Sequence, residues 1–292
     1  MQKVAVLGLG IIGSGIARNI LKAGLPLVVY NRSPERAQAL AAEGAQVAGS
    51  PAEAAAEADV VIAAVPDDDV SRSVWLGPDG ALESARAPAM LAECSTLSVA
   101  WVEQLGRMAR ERRLRFVDTP VLGSKDAAAA GQLRLLVGGE QETLDSVRPA
   151  LETFSSEIYH LGPVGAGTRM KLINNSMALV QSVALAEGLV VAERSGLPLE
   201  QVVEILTTGS PGSPMVRSRA GRMANAEYED VHFALRWMLK DARYGVEEGN
   251  HHGVRMATVA AARDVLQAAA DGGLGDLDFA AVVEALRREG GA

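Results

Sequence analysis

The chain has 292 residues, 48% of them hydrophobic and 22% charged, which is ordinary globular composition and enough length for two domains. Its net charge of −8 argues against nucleic acid or an anionic membrane as the main partner, although a pocket on an acidic protein can be locally positive. The single cysteine, Cys94, rules out an internal disulfide framework, and the four histidines lack metal-site spacing, so we expect no metal.

The first residues, MQKVAVLGLG, lead directly into a predicted strand, without the basic and then apolar order of a signal peptide. The long apolar stretches of the chain are interrupted by charge, so we expect no membrane span. These observations predict a protein of the cytoplasm, where cysteines stay reduced.

Strands and helices alternate over the first 160 residues. The apolar and β-branched runs predict strands at 2–8, 26–30, around 47, 59–65, 90–93, 116–118, 133–137 and 158–160. Helical patterns lie between them at 11–23, from Ser33-Pro34 to about 44, from Ser50-Pro51, at 98–112 and at 140–154. This alternation predicts right-handed crossovers and a mainly parallel sheet that carries helices on both faces.

The pattern changes at Leu161-Gly162-Pro163, beyond which no strand is predicted. A long helix at 165–194 is apolar on much of its circumference, as expected of a helix buried within its domain or between subunits. Shorter helices are predicted at 199–207, 214–224, 233–250, 256–270 and 278–288. We therefore predict an α/β domain with a doubly wound sheet over 1–162, followed by an all-α domain over 163–292.

A glycine-rich turn, GLGIIG, joins the first predicted strand to the first predicted helix. Gly8 permits the tight turn, Gly10 lets the backbone approach a pyrophosphate, and Gly13 lets helix and sheet pack closely. At the helix start, Ile11 and Ile12 offer unpaired N–H groups to an anion. The turn therefore predicts a dinucleotide site, with a structural turn that binds no ligand as the alternative.

The end of the second strand reads Tyr30-Asn31-Arg32-Ser33 and lacks the acid that an NAD-specific site usually places there. Arg32 can pair with a 2′-phosphate, and Asn31 and Ser33 can donate to it. We therefore expect NADP(H) as the cofactor, with a solvated surface Arg32 as the alternative.

Two more loops follow strands at the same predicted edge of the sheet. They contain Val65-Pro66 and Ser95-Thr96. Open parallel sheets bind ligands at the carboxyl ends of their strands, so we expect both loops to line the nicotinamide half of the cofactor. Ordinary turn chemistry is the alternative for each loop.

Three later segments, together with the glycine turn, resemble the β-hydroxyacid dehydrogenase family. They are DTPVLGSK from Asp118, GAGTRMKLINN from Gly165 and FALRWMLKD from Phe233. The resemblance runs in order over essentially the whole chain, and the pattern G-x-G-x-x-x-K-x-x-x-N is its most specific part. The GSK followed by Gly131-Gln132-Leu133 looks most like the glyoxylate/succinic semialdehyde reductase branch. The resemblance implies a Rossmann domain, a helical second domain and a cleft between them.

The resemblance also implies that Lys171 is the catalytic acid/base. A positioned ammonium can stabilise the charge that develops on a carbonyl oxygen and donate the proton as hydride arrives. Asn175 lies four residues on and shares a helix face with Lys171, where it holds the substrate or orients the lysine. Asn174 is expected at the substrate. A helix-surface lysine is the alternative reading of Lys171.

In the family, the segment that matches 122–124 binds the substrate carboxylate through a serine side chain and glycine N–H groups. Here Leu122 replaces that serine, Gly123 is retained, and Ser124 follows as a candidate hydroxyl. Leu122 puts small polar acids in doubt and favours a bulkier or less polar carbonyl. The resemblance implies that Lys240 reaches the cofactor and that Asp241 anchors locally. Phe233 is expected to wall the substrate pocket, with simple core packing as the alternative.

We therefore predict a homodimeric or homotetrameric, NADPH-dependent reductase of a small aldehyde or 2-oxo acid of the glyoxylate or succinic semialdehyde type. Oxidation of 3-hydroxyisobutyrate or a related 3-hydroxy acid is the main alternative. Reduction of an imine or apolar ketone would suit Leu122, but imine reductases generally lack a lysine at the position of Lys171. The non-enzymatic alternative is a nucleotide-binding oligomeric scaffold.

Overall fold

The computed structural model describes residues 1–289, and the packing of the chain divides it into two compact units. The first unit runs from Met1 to Lys171, and the second begins at Leu172. The division falls inside a helix, Ala166–Arg194, so each unit contains part of it. The domain boundary predicted after residue 162 lies just before this helix.

The first unit is built on one mixed sheet. Its strands are β1 (Val4–Leu7), β2 (Leu27–Tyr30), β3 (Gln46–Val47), β4 (Val60–Ala63), β5 (Met90–Glu93), β6 (Arg115–Asp118), β7 (Val121–Leu122), β8 (Leu133–Gly139) and β9 (Ser155–Gly162). The order is β3-β2-β1-β4-β5-β6-β8-β7, and β9 also pairs with β8. The first six strands are parallel to one another, β8 runs antiparallel to β6 and β7, and β9 is parallel to β8. The predicted mainly parallel sheet is confirmed.

The helices of the first unit cover both faces of this sheet. They are α1 (Ile11–Lys22), α2 (Pro34–Ala41), α3 (Pro51–Ala55), α4 (Asp68–Leu76), α5 (Ala81–Ser84), α6 (Val99–Glu111), α7 (Lys125–Ala129) and α8 (Gln141–Leu151). Alternate residues of β1 point into separate cores, because successive side chains of a strand face opposite ways. Val4 and Val6 join one core with Ile16 of α1, whereas Leu7 joins the other with Trp101 of α6.

Strand β7 and helices α4, α5 and α7 were not predicted. Helix α4 begins in a run of aspartates, where Asp67 accepts a hydrogen bond from the Val70 N–H at 2.9 Å and so caps the helix. Helix α7 packs closely on α1 at small residues, since a Cβ on Gly15 would lie only 2.8 Å from Ala128. The buried Asn19 side chain also donates to the Ala128 carbonyl at 2.8 Å.

The second unit is helical, as predicted. It contains most of α9 (Ala166–Arg194), then α10 (Leu199–Thr208), α11 (Pro214–Ala224), α12 (Leu235–His251), α13 (Ala257–Ala269) and α14 (Val282–Arg288). A π-helical turn (Ala270–Leu274) and a 3₁₀ turn (Phe279–Ala281) connect the last two helices. As far as the described residues go, its β pairing is limited to one isolated antiparallel bridge between Ala234 and Asp278. Leu179, Leu235 and Phe279 lie in its core.

Helix α9 is long and apolar enough to cross a membrane by length and composition, with a mean hydropathy of 1.4 over its most apolar stretch. The expectation that charge interrupts every long apolar stretch is wrong here, because the sequence between Lys171 and Glu187 contains no charged residue. However, 61% of the most apolar stretch is buried inside the structure, as is typical of a core helix.

Candidate nucleotide and substrate sites

The glycine turn lies between the carboxyl end of β1 and the start of α1. Gly8 has a φ of +94°, and a Cβ there would lie 2.5 Å from the Ala64 carbonyl oxygen. A Cβ on Gly13 would lie 1.9 Å from the Gly8 carbonyl oxygen, so the turn and the helix need glycine at both positions. Gly10 faces open space, and no side chain caps α1. The turn therefore leaves room for a pyrophosphate at an uncapped helix N-terminus, beside Ile11 and Ile12.

Asn31 links the glycine turn to the loop after β2. Its Oδ1 accepts from the Leu9 N–H at 2.9 Å, and its Nδ2 donates to the Ser33 carbonyl at 2.9 Å. Asn31 was predicted as a direct donor to the cofactor, but its bonds to Leu9 and Ser33 give it a structural role in which one amide hydrogen is left for a ligand.

Three polar groups surround the start of α2. Arg32 and Ser33 are exposed, and Ser33 occupies the N-cap position without making a side-chain cap bond. Arg36, which sequence reasoning missed, lies in the first turn of α2 and donates to the Leu9 carbonyl at 3.4 Å. A second arginine in the first turn of the helix that follows Arg32 was the available signal. Two guanidinium groups and a hydroxyl beside the glycine turn fit a 2′-phosphate.

The loops after β4 and β5 are hydrogen-bonded to each other. The Val65 N–H donates to Ser95 Oγ at 2.7 Å. Ser98 donates to the Asp68 carboxylate through its N–H at 2.8 Å and through its hydroxyl at 2.5 Å. Because Ser95 is almost fully buried, its side chain fixes the Val65-Pro66 loop and leaves Thr96 as the more accessible member of its pair.

Beneath these loops lies a buried carboxylate that was not predicted. Glu93 accepts from Ser71 Oγ at 2.9 Å, Trp75 Nε1 at 2.8 Å and the Ser95 N–H at 3.1 Å. Trp101 Nε1 donates in turn to Ser71 Oγ at 2.9 Å. Burial raises the pKa of Glu93, while its hydrogen bonds oppose that shift. An acid at the end of an otherwise apolar strand was the signal for this network.

The predicted substrate segment begins at Leu122, the last residue of β7. Leu122 is half-buried and pairs with Arg134 of β8. Gly123 has a φ of +143°, and a Cβ there would lie 2.8 Å from the Leu133 side chain, so the position requires glycine. Ser124 caps α7, where its Oγ accepts from the Ala127 N–H at 3.5 Å. Its hydroxyl therefore already has a structural use, and both Gly123 and Ser124 are exposed.

Lys171 lies near the start of α9, where the helix is anchored to the sheet. Asp118, the last residue of β6, accepts from the Gly165 N–H at 2.7 Å, the Thr168 N–H at 2.7 Å and Thr168 Oγ at 2.8 Å. Burial raises the pKa of Asp118 to about 6, although its hydrogen bonds act in the opposite direction. Lys171 comes three residues after Thr168 on the same helix.

In the second unit, Asp241 contacts two of the predicted residues, Asn175 and Lys240, and Asn175 in turn contacts a third, Asn174. Asn175 Nδ2 donates to Asp241 Oδ2 at 2.6 Å, and Asn175 Oδ1 accepts from Asn174 Nδ2 at 3.0 Å. Lys240 Nζ lies 3.1 Å from Asp241 Oδ1. The nearly fully buried Asp241 therefore orients Asn175 and Lys240, which is the local anchoring expected of it.

Phe233 lies just before α12 and is partly buried. Its ring packs edge-on against Phe279, with 6.1 Å between the ring centroids, and its N–H donates to Asp278 at 3.2 Å. Phe233 is thus part of the helical core packing, at the edge of that core. Over residues 1–289, no group of three or more His, Cys, Asp or Glu side chains is placed to hold a metal ion.

Two family models match the chain. One describes the NAD-binding domain of 6-phosphogluconate dehydrogenase and matches residues 3–162. The other describes the NAD-binding region of NADP-dependent 3-hydroxyisobutyrate dehydrogenase and matches residues 165–286. The chain belongs to the β-hydroxyacid dehydrogenase family. It is accordingly an oxidoreductase with a pyridine-nucleotide-binding domain, and the predicted family and fold are confirmed.

Individual members of this family align along most of the chain. The Mycobacterium tuberculosis 3-hydroxyisobutyrate dehydrogenase, solved with L-serine, is 32% identical with a TM-score of 0.88, covering 98% of this chain and 99% of that one. Glyoxylate/succinic semialdehyde reductase 1 of Arabidopsis thaliana is 34% identical over 98% of this chain and 99% of its own length. An NAD-dependent L-serine dehydrogenase of Pseudomonas aeruginosa is 36% identical over 73% of this chain and 72% of its own length.

Proposed function

We propose that the chain is an NADPH-dependent reductase that converts a small aldehyde or 2-oxo acid to the hydroxy acid, with Lys171 as the general acid. The observation that carries the proposal is the helix α9, where Lys171 is followed four residues later by Asn175. Asn175 is itself held by the buried Asp241. The likeness to the glyoxylate/succinic semialdehyde reductase supports the same substrate class.

In this reaction the bound nicotinamide supplies a hydride to the carbonyl carbon. The Lys171 ammonium stabilises the negative charge that forms on the carbonyl oxygen and gives it the proton that completes the alcohol. Asn175, Asn174 and Phe233 are proposed to contact the substrate, and Gly123 to donate its N–H to the substrate carboxylate, beside Leu122 and Ser124. In the opposite direction, Lys171 accepts the proton from the hydroxyl.

Replacing Lys171 tests the chemical assignment. Lys171→Ala is expected to lower kcat by roughly 10²–10⁴-fold, the usual contribution of a general acid, and to leave the Kd for NADPH unchanged. Lys171→Arg keeps a positive charge that does not release its proton, so it separates charge stabilisation from proton donation. Lys22→Ala, at an exposed lysine of α1, is the matched control. Near-native kcat in Lys171→Ala would overturn the assignment.

The preference for NADPH is proposed from two observations. Arg32, Ser33 and Arg36 surround the start of α2, and no carboxylate residue stands at the end of β2. Lys240 is proposed to reach the cofactor as well. The NAD-dependent L-serine dehydrogenase among the relatives represents the alternative. Measuring kcat/KM with NADPH and with NADH decides between them, and a clear preference for NADH would refute the proposal.

The substrate alternative is oxidation of 3-hydroxyisobutyrate or a related 3-hydroxy acid, which the likeness to a 3-hydroxyisobutyrate dehydrogenase favours. A panel containing glyoxylate, succinic semialdehyde and bulkier carbonyls with NADPH, run beside 3-hydroxy acids with NADP⁺, separates the two. Turnover of the hydroxy acids alone would select the alternative. Nucleotide binding without turnover of any member would indicate a scaffold.

We also propose that the chain works as a homodimer or homotetramer. Ile173, Met177 and Val191 of α9 are 53%, 62% and 64% exposed, at spacings that place them on one helix face. The neighbouring helix in sequence, α10, fully buries no residue. Exposed apolar patches mark interaction sites, so Met177→Glu is expected to lower the molar mass measured by light scattering. A wild-type chain that is monomeric at all concentrations would contradict this proposal.

A further inference from the structure

Asp118 is a buried carboxylate that the proposed chemistry does not use. None of its surface is exposed, and it ends β6 at the edge of the sheet where the parallel strands place their carboxyl ends. Both of its oxygens are occupied: Oδ1 accepts from Gly165, and Oδ2 accepts twice from Thr168. Burying a carboxylate is costly, so these three hydrogen bonds, each 2.8 Å or shorter, indicate a specific use.

That use is at the start of α9. The first N–H groups of a helix have no partner within the helix, and a negative charge there also interacts favourably with the helix dipole. Asp118 reaches these groups from a different element, the sheet. It therefore fixes the position of the first turn of α9 relative to the sheet. A capping side chain from a residue next to the helix would satisfy the same N–H groups without fixing that position.

The surrounding packing leaves this turn little freedom to shift. A Cβ on Gly167 would lie 2.0 Å from the Leu136 carbonyl oxygen of β8 and 3.0 Å from Asp118 Oδ2. A Cβ on Gly138 would lie 2.4 Å from Asp118 Oδ1. The helix backbone, β8 and the Asp118 carboxylate are thus in direct contact. Arg169, one residue after Thr168, forms an ion pair with Glu103 of α6.

We propose that Asp118 is a positioning residue that places Lys171 by anchoring the first turn of α9 to the sheet. This inference rests on the proposed function, in which Lys171 is the general acid. Lys171 follows Thr168 by about one helical turn, so a displacement of the anchored turn is carried directly to the lysine. The chain also runs from Asp118 through Thr119 and Pro120 into β7 and Leu122, so the same residue joins the helix of Lys171 to the proposed substrate loop.

The test is a graded series of substitutions at this anchor. Asp118→Asn keeps the shape but replaces one acceptor oxygen by an N–H₂ group that faces a donor. It is expected to lower kcat by about 10²-fold, the effect of a displacement on the order of 1 Å at a reacting group, with the Kd for NADPH unchanged. Thr168→Val removes one of the three hydrogen bonds and is expected to have a smaller effect. Thr168→Ser keeps the hydroxyl and is expected to restore kcat relative to Thr168→Val.

Two comparisons separate positioning from general destabilisation. Leu82→Ala truncates a fully buried side chain of α5 in the same unit, and below its Tm it is expected to keep kcat although the Tm falls. A double-mutant cycle then asks whether Asp118 acts through the lysine. In the Lys171→Ala background, Asp118→Asn is expected to cause no further loss of residual kcat.

The outcomes distinguish the two proposals. The positioning role is overturned if Asp118→Asn keeps a kcat within twofold of wild type. It is also overturned if Asp118→Asn lowers kcat by the same factor in the wild-type chain and in the Lys171→Ala variant. If Asp118→Asn does not fold, the order of kcat in Thr168→Ser and Thr168→Val decides, and equal values overturn the inference. Near-native kcat in Lys171→Ala instead overturns the proposed function, whatever the Asp118 variants do.

Discussion

The Asp118 carboxyl predicts how the stability of the first unit depends on pH. Burial raises its pKa to about 6 from an ordinary value of 3.8. Between these two values the folded chain keeps a proton that the unfolded chain has released. The stabilisation is therefore fully present below pH 3.8 and is lost as the pH rises through 6. The difference between the two values corresponds to about 3 kcal/mol of unfolding free energy.

The measurement compares wild type with Asp118→Asn, which does not titrate at this position. The free energy of unfolding is obtained from urea titrations at several pH values between 4 and 7.5, where the other carboxyl groups contribute equally to both proteins. Trp75 and Trp101 are fully buried in the first unit, whereas Trp237 lies in α12 of the second, so both proteins carry Trp237→Phe and their remaining fluorescence reports unfolding of the first unit. The advantage of wild type over the variant is expected to fall by about 2.4 kcal/mol between pH 4 and pH 7.5, because at pH 4 the unfolded chain has already lost part of its proton.

A difference that does not change with pH would refute the reasoning, because it would mean that Asp118 has the same pKa in both states. A wild-type advantage that grows with pH would refute it more sharply. In that case the three hydrogen bonds and the helix dipole would outweigh the cost of burying the charge, and the pKa of Asp118 would lie below 3.8.

Four further substitutions test the candidate sites. Arg32→Ala and Arg36→Ala are each expected to raise the KM for NADPH by about tenfold or more and to leave the KM for NADH unchanged, and equal effects on both would contradict a 2′-phosphate site. Gly13→Ala places a Cβ 1.9 Å from the Gly8 carbonyl oxygen, so calorimetry is expected to detect no NADPH binding, whereas native affinity would show that the turn can adjust. Leu122→Ser is expected to raise kcat/KM for glyoxylate relative to bulkier carbonyls, and an unchanged ratio would remove Leu122 from the substrate pocket.

The overall fold could be predicted because the central strands are covered on both faces. β1 and β4 are continuous apolar runs, and the helices between the strands have clear start signals such as Ser50, whose Oγ caps the Glu53 N–H. The short elements contain too few residues for the periodic spacing of their apolar residues to be recognised. β7 has two residues and α7 has five, and both depend on tertiary contacts, including the contact of α7 with Gly15 of α1.

The candidate sites were predictable where one residue type meets a chemical need. The glycines of the turn are of this kind, whereas the K-x-x-x-N pattern on α9 was found through the family resemblance, and its role stays a prediction. Partnerships between distant segments were not predictable, because no local spacing encodes them. Glu93 with Trp75, Asp118 with Thr168 and the contact of Arg36 with Leu9 all belong to this class. Likewise, Ser95 was predicted as a cofactor contact, but it is almost fully buried and accepts from the Val65 N–H.

The two hydrogen bonds of Asn31 bear on any attempt to redesign coenzyme preference. An NAD-specific site would place an acid at the end of β2, and Asn31→Asp is the obvious exchange. That exchange keeps the acceptor for the Leu9 N–H, but it turns a carboxylate oxygen toward the Ser33 carbonyl, where an amide now donates. The new carboxylate at position 31 would then repel the Ser33 carbonyl oxygen, in the loop next to the glycine turn. A designer would therefore have to rebuild the loop from Arg32 to Pro34 together with residue 31.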